Sequence, residues 1–314
     1  MNTTIPFVAR TDEDDRDTWL EALGTAMPSY RIKPFEELSE DDRAAARVAI
    51  VADPDPADLA LLPNLEWVHS LWAGVERIVA ELPVDGPKIV RLEDPQMAKT
   101  MAEAVLAWTL YLHRDMPLYR RQQEAREWKM HELPLPSQRN VGILGLGNLG
   151  RVAAGRLLEQ EFNVCGWSRS GTRMEGVETF GGSEGLDRLL AKADIIVVLM
   201  PLTGETRGLL DASRLSGMKP GASLINFARG PIVDTRALLE QLDRGHLNHA
   251  VLDVFDREPL PHDSPLWSHP AVTVLPHISG PTNRTTASAI VARNIAAYFA
   301  NGTIPDGVDR LRGY

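Results

Sequence analysis

Ten consecutive residues, Val141 to Gly150, restrict this chain more than any others: Val-Gly-Ile-Leu-Gly-Leu-Gly-Asn-Leu-Gly. An apolar run able to form a buried parallel strand stops at Gly145. Gly145, Gly147 and Gly150 then fall in the G-x-G-x-x-G spacing, with Leu146, Asn148 and Leu149 between them. Where a strand turns into a helix, the first glycine of this spacing permits a tight turn, the second lets the backbone approach a pyrophosphate, and the third lets the helix pack closely on the strand. The unpaired N–H groups that open the helix attract the anion. Glycine-rich strand ends also arise by chance, so the flanking sequence decides whether the spacing means a dinucleotide site.

The flanks support it. Arg151 to Gln160 reads as a helix and Phe162 to Trp167 as a second strand, which completes a βαβ unit. Asp194–Met200, Ala222–Phe227, Ala250–Phe255 and Val272–Leu275 follow, each short and apolar and separated by helical or loop sequence. That pattern predicts an α/β fold with a doubly wound parallel sheet. Upstream, from Ile5 to about Lys99, short apolar runs are divided by acidic and proline-rich segments, with strands expected at Val48–Ala52 and Leu65–Ser70. This half reads as a smaller α/β unit, and 314 residues suit about two domains. Thr100-Met-Ala-Glu103 has the capping-box form and predicts a helix from Thr100 through Val105, Trp108 and Leu112 to Arg114, with a domain boundary just before it. Tyr119 to Trp128 reads as a polar helix whose Arg120–Glu124 run is a solvated face; Trp128 stands out there as a candidate partner contact.

Composition narrows the class of function. A formal charge of −10 argues against broad binding to nucleic acid or membranes. No apolar run reaches the roughly 18 residues of a membrane span, and Met1–Asp17 lacks the pattern of a secretory signal. The single cysteine, Cys165, has apolar neighbours and reads as an inert core thiol in a reducing compartment. The expected location is cytoplasmic, and no metal is expected.

The end of the second strand bears on the cofactor. Folds that prefer NAD place an acid there to accept hydrogen bonds from the ribose hydroxyls. This chain has Trp167-Ser168-Arg169-Ser170, with Thr172 and Arg173 close behind, and no carboxylate. Hydroxyl and guanidinium groups suit a 2′-phosphate, so NADP(H) is expected in preference to NAD(H). Three later stretches follow predicted strands, where ligands bind in open α/β sheets: Asn226-Phe-Ala-Arg-Gly230, Asp253 to Leu260, and Leu275-Pro-His-Ile-Ser-Gly280. They supply a fixed cation in Arg229, a carboxylate in Glu258 and an imidazole in His277. Carbonyl reduction by hydride transfer requires a proton donor for the developing alkoxide, and histidine titrates near working pH. A neighbouring carboxylate would orient the ring and favour its protonated form. Arg229 would bind a substrate carboxylate and polarise the carbonyl. Taken singly, each residue has an ordinary structural explanation; their joint placement beside a nucleotide fold does not.

Gly145–Gly150, Asn226–Gly230, Asp253–Leu260 and Pro276–Gly280 together resemble the four signature stretches of the D-2-hydroxyacid dehydrogenases, in order and over nearly the whole chain. The resemblance implies Arg229, Glu258 and His277 as catalytic residues, and a backbone turn at Ala73-Gly74-Val75 beside Trp72 that binds the substrate together with Arg229. It further implies cofactor contacts from Met200, Pro201, Thr206, Phe227, Ala228, Asp253, Ser279 and Gly280, besides the glycine turn and Ser168–Ser170. Ser70–Glu76, His113-Arg114-Asp-Met, Gln122-Gln123 and Trp167–Ser170 are more particularly similar to the glyoxylate/hydroxypyruvate reductase A branch, which implies NADPH and small 2-keto acids as ligands. The implied architecture is discontinuous: a substrate domain of residues 1–98 and 282–314, with an NADP(H)-binding Rossmann domain of residues 99–281 inserted, closing on the substrate to exclude water. A homodimer formed through the helix expected near Thr100 is also implied, with Trp128 reaching a neighbouring site. The alternatives are a dinucleotide-sensing binding protein without catalysis and an NAD-linked dehydrogenase. The intact Arg229, Glu258 and His277 set favours the enzyme, and Ser168 with Arg169 disfavours NAD.

Overall fold

The computed structural model describes residues 3–310 and divides into two compact units, one of residues up to Gln96 with those from Thr282 onward, the other Met97–Pro281. The first unit carries β1 (Thr4–Ala9), β2 (Arg31–Pro34), β3 (Val48–Ala52), β4 (Trp67–Ser70) and β5 (Lys88–Val90). They form a parallel sheet in the order β2-β1-β3-β4-β5, the flavodoxin-like arrangement. Strand β3, Val-Ala-Ile-Val-Ala, is buried along its whole length, as a strand covered on both faces must be. The closing helix Arg284–Asn301 packs against the helix Glu13–Ala26, and Tyr298 sets its ring edge-on to Trp67, 5.5 Å between centroids.

The second unit carries β6 (Asn140–Leu144), β7 (Asn163–Trp167), β8 (Glu178–Phe180), β9 (Ile195–Val198), β10 (Ser223–Asn226), β11 (His249–Leu252) and β12 (Val272–Val274). All are parallel, in the order β12-β11-β10-β9-β6-β7-β8. This is the doubly wound nucleotide-binding order, with one further strand at the β12 edge, and its crevice opens where the order reverses, between β6 and β9. Leu144, Val198 and Leu224 lie in one core layer and Ile143, Val197 and Ile225 in the other, since alternate strand residues face opposite sides.

Several boundaries differ from the sequence reading, each for a local reason. The helix expected from Thr100 begins at Pro95; Asp94 accepts the Gln96 N–H at 2.8 Å and proline suits the first helical turn, so Thr100 lies inside the helix. The polar helix runs Met116–Ala125 and ends at Arg126, which adopts a left-handed backbone (φ 57°) and returns its N–H to the Gln122 and Gln123 carbonyls. Trp128 therefore lies outside it. Gln122 is not on a solvated face: it is buried, donates to the Lys129 carbonyl at 3.0 Å and pairs with His131 at 2.7 Å. Strand β11 ends at Leu252, three residues short of Phe255, although the Asp253 N–H still reaches the Asn226 carbonyl at 3.1 Å, and the three-residue strand β8 is an addition to the sequence reading. Cys165 is buried on β7, and burial pushes its thiol up to about 12, which suits an unreactive core residue.

Candidate active site

The glycine turn joins β6 to the helix Asn148–Glu159. Gly145 holds φ at +110°, a conformation that side chains rarely adopt, and a Cβ there would press on the Leu199–Met200 backbone at 2.9 Å. A Cβ on Gly150 would fall on the Gly145 carbonyl oxygen, so strand and helix meet only because both residues lack one. At Gly147 the space is open, with nothing within 4 Å of where a Cβ would stand, and no side chain caps the helix it precedes. The first N–H groups of a twelve-residue helix thus have room for a bound anion. Leu146 and Met200 are both buried, and the Met200 backbone N lies 2.9 Å from where a Cβ on Gly145 would stand.

At the end of β7, Ser168 accepts the Thr172 N–H at 2.8 Å, Ser170 and Thr172 share a hydroxyl contact at 3.0 Å, and Gly171 donates to the Ser168 carbonyl at 3.0 Å. These bonds close a polar turn around Arg169. The expectation that no carboxylate reaches this place needs correction. Glu205, in the loop after β9, brings its carboxylate 2.9 Å from the Arg169 guanidinium. Pro201 and Thr206 belong to the same loop: Thr206 donates to the Pro201 carbonyl at 2.7 Å and accepts the Thr203 N–H at 2.7 Å.

The chemistry-bearing residues follow β10, β11 and β12, which are neighbours in a parallel sheet, so their carboxyl ends share one edge. Asn226 ends β10 and shapes the next turn, accepting the Ala228 N–H at 3.1 Å and donating to the Arg229 carbonyl at 3.0 Å. Phe227 and Ala228 are buried. A Cβ on Gly230 would overlap the Phe255–Asp256 backbone, so this glycine lets the Arg229 turn lie directly on the Glu258 loop. Glu258 accepts the Phe255 N–H at 2.9 Å with one oxygen and meets His277 Nδ1 at 2.7 Å with the other. A carboxylate only accepts, so Nδ1 carries the proton and Nε2 is left to face a ligand.

His277 has a left-handed backbone, φ 56°, a conformation that carries strain of about 1–3 kcal/mol for a non-glycine residue. Asp253 holds it there: its two carboxylate oxygens accept the Ile278 and Ser279 N–H groups, each at 2.8 Å. Sequence reasoning placed Asp253 only as a cofactor contact, whereas both its oxygens serve the loop that aims His277. Ser279 keeps a buried hydroxyl with no partner among the described residues, a group suited to a ligand polar atom.

The electrostatics follow from this geometry. The hydrogen bond to Glu258 raises the His277 pKa above the ordinary 6.5, partial burial opposes it, and the Glu258 charge adds to the rise while Arg229 works against it. For Glu258, burial pushes upward, but the His277 hydrogen bond, the Phe255 N–H and the nearby Arg229 charge outweigh it and leave the carboxyl below its usual range. The pair therefore favours an imidazolium held by a carboxylate. Among the described residues no group of three His, Cys, Asp or Glu side chains is placed to hold a metal, and no helix is long and apolar enough to cross a membrane.

In the other unit, β4 runs into the turn that holds Trp72, Ala73, Gly74 and Val75. Ser70 accepts the Trp72 N–H at 3.0 Å, and His69 donates from Nδ1 to the Ser70 carbonyl at 2.9 Å. Burial lowers the His69 pKa to about 4, so the ring is neutral and its Nε2 accepts from Asn294 at 2.9 Å. A buried network thus holds the turn's entry, which no sequence motif disclosed.

Residues 106–279 match the D-isomer specific 2-hydroxyacid dehydrogenase, NAD binding domain family. Among solved structures, a D-isomer specific 2-hydroxyacid dehydrogenase of Xanthobacter autotrophicus Py2, in complex with NADPH and MES, is similar over 100% of both chains, with 38% identity and a TM-score of 0.91. The NADPH-dependent glyoxylate/hydroxypyruvate reductase of Sinorhizobium meliloti, in complex with NADP and sulfate, is 30% identical over 100% of both chains, TM-score 0.90. A probable 2-hydroxyacid dehydrogenase of Rhizobium etli CFN 42, in complex with NADP, HEPES and L(+)-tartaric acid, is 32% identical over 99% of each chain, TM-score 0.89.

Proposed function

The chain belongs to the D-isomer specific 2-hydroxyacid dehydrogenases, and from that premise we propose that it reduces glyoxylate, hydroxypyruvate or a similar small 2-keto acid to the D-2-hydroxy acid with NADPH. The observation that carries the proposal is the His277–Glu258 pair, 2.7 Å apart, in a loop fastened by Asp253 at the same sheet edge as Arg229. The Gly145–Gly150 turn would hold the dinucleotide, Ser168, Arg169 and Ser170 would bind its 2′-phosphate, and the group would supply hydride to the carbonyl carbon when bound. His277 gives the proton on Nε2 to the developing alkoxide, Glu258 keeps the ring oriented and stabilises the imidazolium, and Arg229 binds the substrate carboxylate and polarises the carbonyl. On the same reading the first unit is the substrate domain and the second the NADP(H) domain.

The preference for NADPH is supported by the polar turn after β7 and by relatives that hold NADPH or NADP. A homodimer is part of the proposal: Trp128 is 100% and Met130 87% exposed, two large apolar side chains that a second copy would cover. The experiment is to follow NADPH absorbance with the purified protein and a panel of 2-keto acids. Turnover of at least one small 2-keto acid is expected; no turnover across the panel overturns the reductase and leaves the dinucleotide-sensing reading.

A further inference from the structure

Glu205 belongs to no motif of the sequence, yet its carboxylate lies 2.9 Å from the guanidinium of Arg169. We propose that Glu205 is a built-in competitor of the cofactor's 2′-phosphate for Arg169, and so sets how strongly the chain prefers NADPH to NADH. The inference rests on the proposed role of Arg169 in binding that phosphate.

The pair is held from both sides. Strands β7 and β9 flank β6 in the sheet, so the loops after them, carrying Arg169 and Glu205, stand on either side of the glycine turn. The Glu205 loop is knotted by Thr203 and Thr206, with the Arg207 N–H returning to the Thr203 carbonyl at 3.0 Å. The Arg169 turn is closed by the Ser168 bonds to Gly171 and Thr172. Neither residue depends on a long flexible loop for its place, which lowers the ordering cost of the contact.

The pair is also displaceable. The Arg169 and Glu205 side chains are 52% and 68% exposed, and an exposed ion pair contributes little. A phosphate monoester carries about −1.5 to −2 charges and three acceptor oxygens, so it outbids one carboxylate for a guanidinium. Binding it nevertheless separates Arg169 from Glu205 and leaves a carboxylate beside a new anion. NADH brings a hydroxyl to the same position, leaves the pair intact, and can donate to the carboxylate. The Glu205 charge therefore weakens NADPH binding and does not weaken that of NADH.

The test is equilibrium titration of the full chain and its variants with NADPH or NADH, read by nucleotide fluorescence in the absence of any keto acid. Glu205→Gln keeps the shape and removes the charge; it should tighten NADPH about two- to fivefold, the range of an exposed ion pair, without tightening NADH. Arg169→Ala should remove the preference for NADPH. If the wild-type chain prefers NADPH, Arg169→Ala abolishes that preference and Glu205→Gln leaves the ratio unchanged, the role of Arg169 stands and that of Glu205 is overturned. Equal tightening of both nucleotides by Glu205→Gln also overturns it, because a general loss of negative charge needs no 2′-phosphate. If the wild-type chain shows no preference and Arg169→Ala alters neither affinity, the NADPH reading fails and this inference fails with it.

Discussion

Two ends of the proposed cofactor site are each marked by an ion pair of nearly equal length, Arg169–Glu205 at 2.9 Å and His277–Glu258 at 2.7 Å, and they are built in opposite ways. At the ribose end each partner is placed by its own turn, and the carboxylate is the more exposed of the two, 68% against 35% for Glu258. At the chemical end Glu258 is fixed by a backbone N–H as well as by His277, and the His277 loop is held by two further bonds to a buried carboxylate. The first pair can open at small cost, which suits a group that exchanges partners when a ligand arrives. The second keeps one ring in one orientation, which suits proton transfer along a fixed line.

Substitutions break this comparison at graded strengths. His277→Ala removes the acid and should lower kcat about 10²- to 10⁴-fold, with NADPH affinity little changed; stopped-flow and equilibrium titration separate the two, and an unaltered kcat would remove His277 from its role. Arg169→Ala should weaken NADPH about tenfold to a hundredfold, the range of lost hydrogen bonds to a charged group, while kcat at saturating NADPH stays near wild type. An equal loss for NADH would show that the guanidinium does not read the phosphate.

The pH profile gives a smaller, signed effect. If His277 is the proton donor, as proposed, kcat/KM is expected to hold at lower pH and decline as pH rises through a value above the ordinary 6.5. Glu258→Gln removes the main cause of that rise, and the decline should move to lower pH; a profile that stays in place would separate Glu258 from the titration. The smallest expected change is in folding: Glu205→Gln should alter unfolding free energy by less than about 0.5 kcal/mol, as exposed substitutions usually do. Chemical denaturation measures it, and a larger loss would mean that the pair holds the fold together.

Much of this was legible before the fold was known, and the reason is locality. Strand β3 is recognisable because five successive apolar residues followed by Asp-Pro-Asp-Pro have few other places to go. The glycine turn is recognisable because backbone geometry at Gly145 and close packing at Gly150 are demands that neighbours in sequence impose on one another. The misplaced helix start is instructive in the same terms. Thr100-x-x-Glu103 has the cap pattern, but Asp94-Pro95 satisfies the need for a cap six residues earlier, and a pattern that has lost the competition is silent.

Sequence alone determined the doubly wound α/β unit, its glycine turn, the inert Cys165 and the three stretches that carry Arg229, Glu258 and His277, because strand periodicity and turn chemistry are properties of adjacent residues. Only the tertiary structure decided that β10, β11 and β12 would stand side by side and align those stretches, that Asp253 would grip the His277 loop from 25 residues away, and that Glu205 would meet Arg169 across 36. Polar contacts of that reach depend on where strands fall in a sheet and on which carboxylates remain unsatisfied once the backbone is paired. Those are outcomes of the whole fold, and no short stretch of sequence records them.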